Sequence, residues 1–498
     1  MVLTGPRIPQ SARDRACRRV RRDVDSDAHA ETQRRGGVFG FFANPCLRVR
    51  DRTSRYWGRE VKTAVSVVVA SWILAYPADV VGQGLGTAER RMVASVDQGS
   101  PAAIALLERL VNINSGTHNF AGVRAVADAL APEFQKLGFT TRWIDGAAWN
   151  RAGHLIAEWK GSGNGRKLLL IGHLDTVFER DSPFQRFERV GIDSARGPGI
   201  ADMKGGNVVM LLALKALKDA GLLDHLQVTA VFTGDEEDSG RPIEKARGDL
   251  TAAADWADFA LGFENGPEAP HVAVIARRGS TTWWLRTSGT PSHSSQVFRP
   301  EVGSGAIYEM ARILAAFHDS LSNDPPLTFN PGVIVGGTTV TFDAVQNRGT
   351  AFGKTNVVAE SAYVAGDLRA LTPEQLARAK STMQRLVTRH YPQTGATLTI
   401  DDGYPPFAPT DGNRRLLALL DQGSRDAGLP AVGAVDPARA GAADISFVAG
   451  RVEAALDGLG LKGRADHTVN ETADLTMLAV QAKRAAILMA RLATGREK

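Results

Sequence analysis

Apolar positions recur every three to four residues over Pro101–Leu110 and again over Val123–Leu137, the spacing of amphipathic helices. Asn114-Ser115-Gly116 reads as the turn between them, and Gly138 as the glycine that ends the second. Short runs at Thr140–Trp143 and His154–Trp159 have strand character. Lys167–Ile171 is continuously apolar after its first residue, as expected of a strand covered on both faces. Asn207–Ala220 then predicts a helix and Gln227–Thr233 a second buried strand. From Thr281 the rhythm changes. Strands at Thr281–Thr287, Gly332–Phe342, Ala359–Ala370 and Thr397–Asp401 are interleaved with helices at Gly303–Ser320 and Pro373–His390, the latter opening on a proline. That β-α-β-β-α-β order is ferredoxin-like. After Tyr404-Pro405-Pro406 the first pattern resumes, and a helix over Leu475–Leu492 closes it. The fold class predicted is α/β, a mixed-sheet catalytic domain over 95–277 and 406–495, interrupted by a smaller α+β domain over 278–405.

A chain of 498 residues is long enough for two such domains and an appendage. The net charge of +5 hides an uneven distribution. Residues 1–60 hold 14 Arg, no Lys and 7 acids, a net of +7, and the remainder is left at −2. A near-neutral body gives no electrostatic reason to expect a nucleic-acid partner. No run of 18 apolar residues predicts a membrane span. Both cysteines, Cys17 and Cys46, lie in the basic head, so the body has neither a thiol nucleophile nor a thiolate ligand.

Three readings of residues 1–85 stay open. Lys62 followed by Thr63–Ala78 has a charged start, a short apolar run and small residues, the pattern of a signal-like segment over 61–78 with cleavage near Ala78. An Arg-rich transit-type peptide is disfavoured by six acids among residues 14–51. A tail with one buried helix is the third. The first is adopted, and it predicts an exported protein, periplasmic or secreted.

Candidate chemistry concentrates in GHLDTV (Gly172–Val177), GIADMKGG (Gly199–Gly206), TGDEEDSG (Thr233–Gly240), FENG (Phe263–Gly266) and RADHT (Arg464–Thr468). Three of the five directly follow an apolar strand run, and the carboxyl edge of an α/β sheet is where ligands bind. Each piece alone has a plain explanation: a hydrogen-bonded loop histidine, a helix N-cap for Asp202, a solvated acidic turn for Glu236 and Glu237. Together they differ, because adjacent carboxylates at a strand end raise each other's pKa unless cations are near. Carboxylate oxygen with imidazole nitrogen is a donor mix for Zn²⁺, Mn²⁺ or Co²⁺. Lys204 alone is a poor countercharge for so many acids.

These motifs, in this order, resemble the M20 family of metallopeptidases, its glutamate carboxypeptidase (carboxypeptidase G) branch in particular, over about residues 97–495. The resemblance implies two divalent metal ions, zinc foremost with cobalt or manganese as substitutes. His173 and Glu264 would hold one, Glu237 and His467 the other, and Asp202 both. Asp175 would orient His173, and Glu236 would be the general base taking a proton from the water between the metals. The insert would be a dimerisation or lid domain, making the protein a homodimer. His293 in GTPSHSS would stabilise the oxyanion in the partner's site, and Asn356 and Arg369, thirteen residues apart, would grip the terminal carboxylate of a small peptide or N-acyl amino acid.

Two stretches depart from a glutamate-specific member. Asp401-Asp402-Gly403-Tyr404 is acidic and aromatic where a basic residue for the substrate side chain is expected, and Asn265–His271 has no lysine. The preferred side chain is therefore open. The leading expectation is hydrolysis of the amide bond next to a C-terminal amino acid. An aminoacylase or deacylase releasing acetate or succinate is the alternative, and a non-catalytic binding protein the rival from another class. HExxH and GxSxG are absent, and Gly458–Gly463, though a GxGxxG string, reads as a flexible active-site turn with no strand before it.

Overall fold

A computed structural model describes residues 84–265, 269–344 and 347–495. The signal-like segment over 61–78 lies outside them. Among the described residues no helix is long and apolar enough to cross a membrane.

The first half of the body runs α1 (Thr87–Val111), α2 (Phe120–Lys136), β1 (Thr140–Asp145), β2 (Gly153–Trp159), β3 (Arg166–His173), α3 (Lys204–Asp219), β4 (Leu226–Thr233), α4 (Gly248–Trp256) and β5 (Phe259–Gly262). The first helix starts fourteen residues before the Pro101 at which its periodicity predicted an N-terminus. Proline forfeits one backbone hydrogen bond inside a helix. Met92 and Val96 on one side of it and Leu106, Leu107 and Leu110 on the other are buried, and that apolar burial outweighs the loss.

The insert follows as β6 (Thr281–Gly289), α5 (Ala306–Leu321), β7 (Thr328–Gly337), β8 (Thr339–Asp343), β9 (Arg348–Phe352), β10 (Ser361–Arg369), α6 (Pro373–Val387) and β11 (Thr394–Asp402). Its four-stranded sheet has the order β7-β10-β6-β11, the ferredoxin-like arrangement, with a core of its own around Trp283, Met310, Phe317 and Met383. The single strand expected over Gly332–Phe342 is two strands broken at Thr338, because β8 leaves the sheet to pair with β9 as a separate hairpin. The chain then returns through α7 (Asp411–Asp426), β12 (Ala454–Leu456) and α8 (Thr476–Ala493).

The body sheet has the order β1-β2-β4-β3-β5-β12. β1 and β2 are antiparallel to their neighbours, whereas β4, β3, β5 and β12 are mutually parallel. The Leu168–Ile171 run is buried because layers cover both faces: α1, α3 and α8 on one, α4 with Ile445 and Val448 on the other. Leu169 has no exposed surface, and its truncation to Ala would cost about 2–5 kcal/mol. Parallel strands share one carboxyl edge, and this one collects His173, the 234–240 loop and Glu264. Gly206 lets α3 approach it: a Cβ there would sit 1.9 Å from the Phe263 carbonyl.

Two chain segments join insert to body, and they pair with each other. Arg277 and Phe407 exchange both backbone hydrogen bonds (2.9 and 3.0 Å), and Ser280 exchanges bonds with Gly403 and Tyr404.

Candidate metal centre

His173 ends β3, fully enclosed, and its backbone carbonyl accepts a bond from Asn207 Nδ2 on α3 (2.6 Å). Its Nδ1 faces Asp175 at both the carbonyl (3.1 Å) and the carboxylate (3.3 Å). Its Nε2 points to Asp202 Oδ1 at 3.0 Å and Glu264 Oε2 at 3.5 Å. The other Asp202 oxygen lies 3.1 Å from His467 Nε2, which is also 3.1 Å from Glu237 Oε2. Asp202 thus stands between two imidazole–carboxylate pairs, and it is not a helix cap: Met203 occupies that position, with no capping side chain.

The structure therefore brings together His173, Asp202, Glu236, Glu237, Glu264 and His467. Their donor atoms form overlapping groups within 4.8 Å, the last of which adds Asp466. Asp175 lies beneath. Its two oxygens accept the backbone N–H groups of Glu236 (3.0 Å) and Glu237 (3.1 Å) and the Thr117 hydroxyl (2.7 Å). One buried carboxylate so orients both a histidine and the loop carrying the two acids. The Glu236 carboxylate makes no hydrogen bond or ion pair with the described residues.

Electrostatics show what the cluster lacks. Burial, reinforced by the Asp202 charge, pushes Glu237 up to about 7 and Glu264 up to about 8. Burial also drives Glu236 well above the carboxylate range, with Glu264, Asp444 and Glu237 adding to it against His173. His467 rises to about 11 through its bonds to Asp202 and Glu237. For His173, burial works the other way and is overcome by Asp175, Asp202 and Glu264. A buried set of carboxylates that can stay ionised only beside positive charge, with imidazoles at both ends, fits a pair of divalent cations. Lys204 does not serve: its buried Nζ makes no ion pair among the described residues and donates instead to the Ile113 (2.9 Å) and Pro198 (3.4 Å) carbonyls.

Several residues that frame the site were not singled out from the sequence. Glu471, fully buried, accepts the backbone N–H groups of Gly199 (2.9 Å), Ala201 (2.9 Å) and Asp202 (3.1 Å), and so fixes the loop that presents Asp202. Arg247, together with Tyr404, noted from the sequence only as the aromatic end of the 401–404 stretch, frames the 234–240 loop from the other side. Only the N–E pair ending at Glu471, four residues past His467, could have drawn notice. His467 itself has φ +59°, a left-handed conformation that costs free energy in a non-glycine residue.

The insert residues lie elsewhere. His293 is exposed, its Nδ1 accepting from the Ser295 backbone (3.2 Å), and it bridges Val357 beside Asn356. Arg369 ends β10 next to the joining segments, and its Nε donates to Asp367 (2.9 Å). Asn356 precedes the opposite end of that strand, so the structure does not bring Asn356 and Arg369 together within one chain.

One expectation needs correction, and one stretch has contacts that its composition does not show. The acidic and aromatic Asp401–Tyr404 is engaged within the chain, although Asp402 stays exposed. Asp401 pairs with Arg241 (3.0 Å), Asp402 with Lys380 (2.6 Å), and the Tyr404 hydroxyl donates to the Glu236 carbonyl (2.6 Å). The Gly458–Gly463 string is neither strandless nor loose. It follows β12, Leu459 and Leu461 are buried, and the Gly460 N–H bonds the Glu264 carbonyl (3.1 Å), so the turn braces Glu264.

Comparison with known proteins follows from this geometry. A family model described as peptidase family M20/M25/M40 matches residues 169–491. Carboxypeptidase G2 of Pseudomonas sp. (strain RS-16) is 27% identical over 441 residues, covering 87% of this chain and 99% of its own length. A succinyl-diaminopimelate desuccinylase of Leptothrix cholodnii is 26% identical over 304 residues, covering 58% of this chain and 73% of its own. Among solved structures, aminopeptidase PepT of Bacillus cereus shares the fold with a TM-score of 0.60 at 19% identity, over 79% of this chain and 99% of that one. A dinuclear metal-binding peptidase of Bacillus subtilis does so with a TM-score of 0.54 at 15% identity, over 79% and 98%.

Proposed function

Because the chain belongs to the M20/M25/M40 peptidase family, and is thus a hydrolase of peptide or N-acyl amino acid bonds, we propose that it releases a C-terminal amino acid with Glu236 as general base. The observation that carries this reading is the state of Glu236. Its neighbours in the cluster are engaged with one another, whereas its carboxylate lies half-buried among them with no partner among the described residues. A carboxyl whose pKa is driven up by burial is suited to take a proton from water and return it to the leaving amine. His173 with Glu264 and Glu237 with His467 would hold the two cations, with Asp202 common to both. When bound, these supply a water of lowered pKa and polarise the scissile carbonyl. Zinc suits the donors best, and cobalt or manganese would substitute.

Substrate grip falls to the insert. Arg369, with a planar fork for a carboxylate, stands at the end of β10 that meets the body. His293 and Asn356 stand beyond the other end, about 26 Å away for nine extended residues. One small substrate cannot span that distance, so His293 and Asn356 would serve the site of a second copy. Exposed Phe298, Ile307, Tyr308 and Phe352 gather at that same end, and β7 is an unpaired edge strand there. We therefore read the protein as a homodimer through the insert.

A panel of dipeptides and N-acetyl or N-succinyl amino acids, with Zn²⁺ or Co²⁺ added, tests the reading. Release of the C-terminal residue from dipeptides is expected. Turnover confined to the N-acetyl or N-succinyl compounds would make the protein a deacylase, an activity also present among its relatives.

A further inference from the structure

Glu236 is fixed from two sides. From below, Asp175 takes its N–H. From the opposite side comes a network the reaction does not use. Arg247, 1% exposed, spends its guanidinium on the segment around the base: Nη1 donates to Asp235 Oδ1 (2.7 Å), and Nη2 to the Asp235 carbonyl (3.0 Å), Ser239 Oγ (2.9 Å) and Tyr404 OH (3.1 Å). Its Nε is anchored on Asp444 (2.7 Å), which also accepts the Thr233 hydroxyl (2.6 Å). Arg247 therefore grips the residue before Glu236 and the second residue after Glu237.

Tyr404 closes this network from the insert side. Its hydroxyl donates to the Glu236 carbonyl (2.6 Å) and lies 3.1 Å from Ser239 Oγ. It sits two residues past β11, on one of the two paired segments that carry the insert, with its own carbonyl held by Ser280 N–H (2.9 Å). Rotation of the insert about that ribbon would carry the phenol with it, and the Glu236 carbonyl is its hydrogen-bond acceptor. Arg241 also ties body to insert, through Asp401 and the Asp402 carbonyl (3.0 and 3.2 Å), but it is half exposed and touches neither Glu236 nor Tyr404.

We propose that Tyr404 and Arg247 are positioning residues: they set the backbone of Glu236 and make the placement of the base answer to the orientation of the insert. The proposal rests on Glu236 being the base. A misplacement on the order of 1 Å costs about 100-fold in rate when geometry is the limiting term, which makes one hydroxyl measurable.

The test uses the full chain loaded with Zn²⁺ and the best dipeptide or N-acyl amino acid of the panel. Tyr404→Phe should keep metal stoichiometry and KM within about threefold while kcat falls on the order of 10- to 100-fold. Backbone amides of 234–240 should exchange with deuterium about tenfold faster in that variant, a local loosening that general stability would not produce. Arg241→Ala should keep kcat within about twofold. If Tyr404→Phe does not accumulate as folded protein, Ser239→Ala, which removes one hydroxyl of the same network, should lower kcat at least about threefold. Wild-type kcat in the folded, metal-loaded variant overturns the proposal, as does an Arg241→Ala loss equal to that of Tyr404→Phe. Glu236→Gln separates the two levels. If it is inactive while Tyr404→Phe is unimpaired, only the positioning role falls; if it retains full kcat, the base assignment falls and the positioning role with it.

Discussion

Removing the cations should make the stability of this protein depend on pH in a direction opposite to ordinary acid denaturation. In the cation-free cluster, Glu237 and Glu264 titrate at about 7 and about 8, raised from the ordinary 4.5 by burial and by Asp202. A carboxyl with a raised folded-state pKa keeps its proton in the native state after the unfolded chain has lost it. Stability therefore falls as pH climbs from about 4.5 through 8. The histidines act in the same sense at higher pH, since their protonated forms are favoured in the native state and that stabilisation is lost on deprotonation. Asp202 is depressed, so its contribution disappears only in strong acid. The full shift of Glu264 corresponds to about 5 kcal/mol, of which about 4 kcal/mol falls between pH 5 and 8. Glu237 is raised by the same Asp202 charge, so the two overlap, and about 4 kcal/mol is the expected loss between pH 5 and 8. For a body of about 400 residues that is about 5 °C in Tm. The assay is thermal unfolding of chelator-treated protein from pH 5 to 8 at constant ionic strength, repeated with Zn²⁺. The Zn²⁺-dependent gain in Tm should widen with pH, because protons and cations compete for the same donors. A chelated protein whose Tm is level or rises over that range would refute the account.

Three further outcomes follow from the geometry. Glu471→Gln, which replaces one acceptor of the loop N–H groups with a donor, should weaken metal binding about 10- to 100-fold, measured by competition with a chromogenic chelator. Mixing inactive Glu236→Gln and His293→Ala chains, each alone reduced on the order of 10²-fold or more, should restore about a quarter of wild-type turnover once subunits exchange; no restoration would mean that His293 does not act across a dimer. Arg369→Ala should raise KM with little change in kcat, since it removes binding common to ground and transition states, and steady-state kinetics would show the split.

The ligand stretches were legible because each is short and follows a buried strand, and like charges at such positions call for cations. The ferredoxin-like order of the insert was legible for a similar reason, its elements having clear periods. What escaped notice acts through backbone atoms. Glu471 binds N–H groups about 270 residues upstream, and Tyr404 meets the Glu236 carbonyl across 168 residues. Neither contact depends on the identity of a side chain at the far end, so no motif records it. The contacts of Asp401–Tyr404 were not legible because composition reports charge but not direction. Pro101 misled because proline is favoured at a helix start, and only the tertiary burial of Met92 and Val96 reveals a helix running through it.

The ribbon that joins insert to body also bears on how the chain folds. β12 must find β5 across some 190 intervening residues, and closing so long a loop is slow and entropically costly. The insert has a separate core, and its two ends are hydrogen-bonded to each other. Once it has folded, the body's chain behaves as though about 120 of those residues had been replaced by a hairpin turn. The remaining loop of about 70 residues closes at about 1 kcal/mol less entropic cost. The insert thereby serves as the staple that brings the last strand of the body sheet to its place.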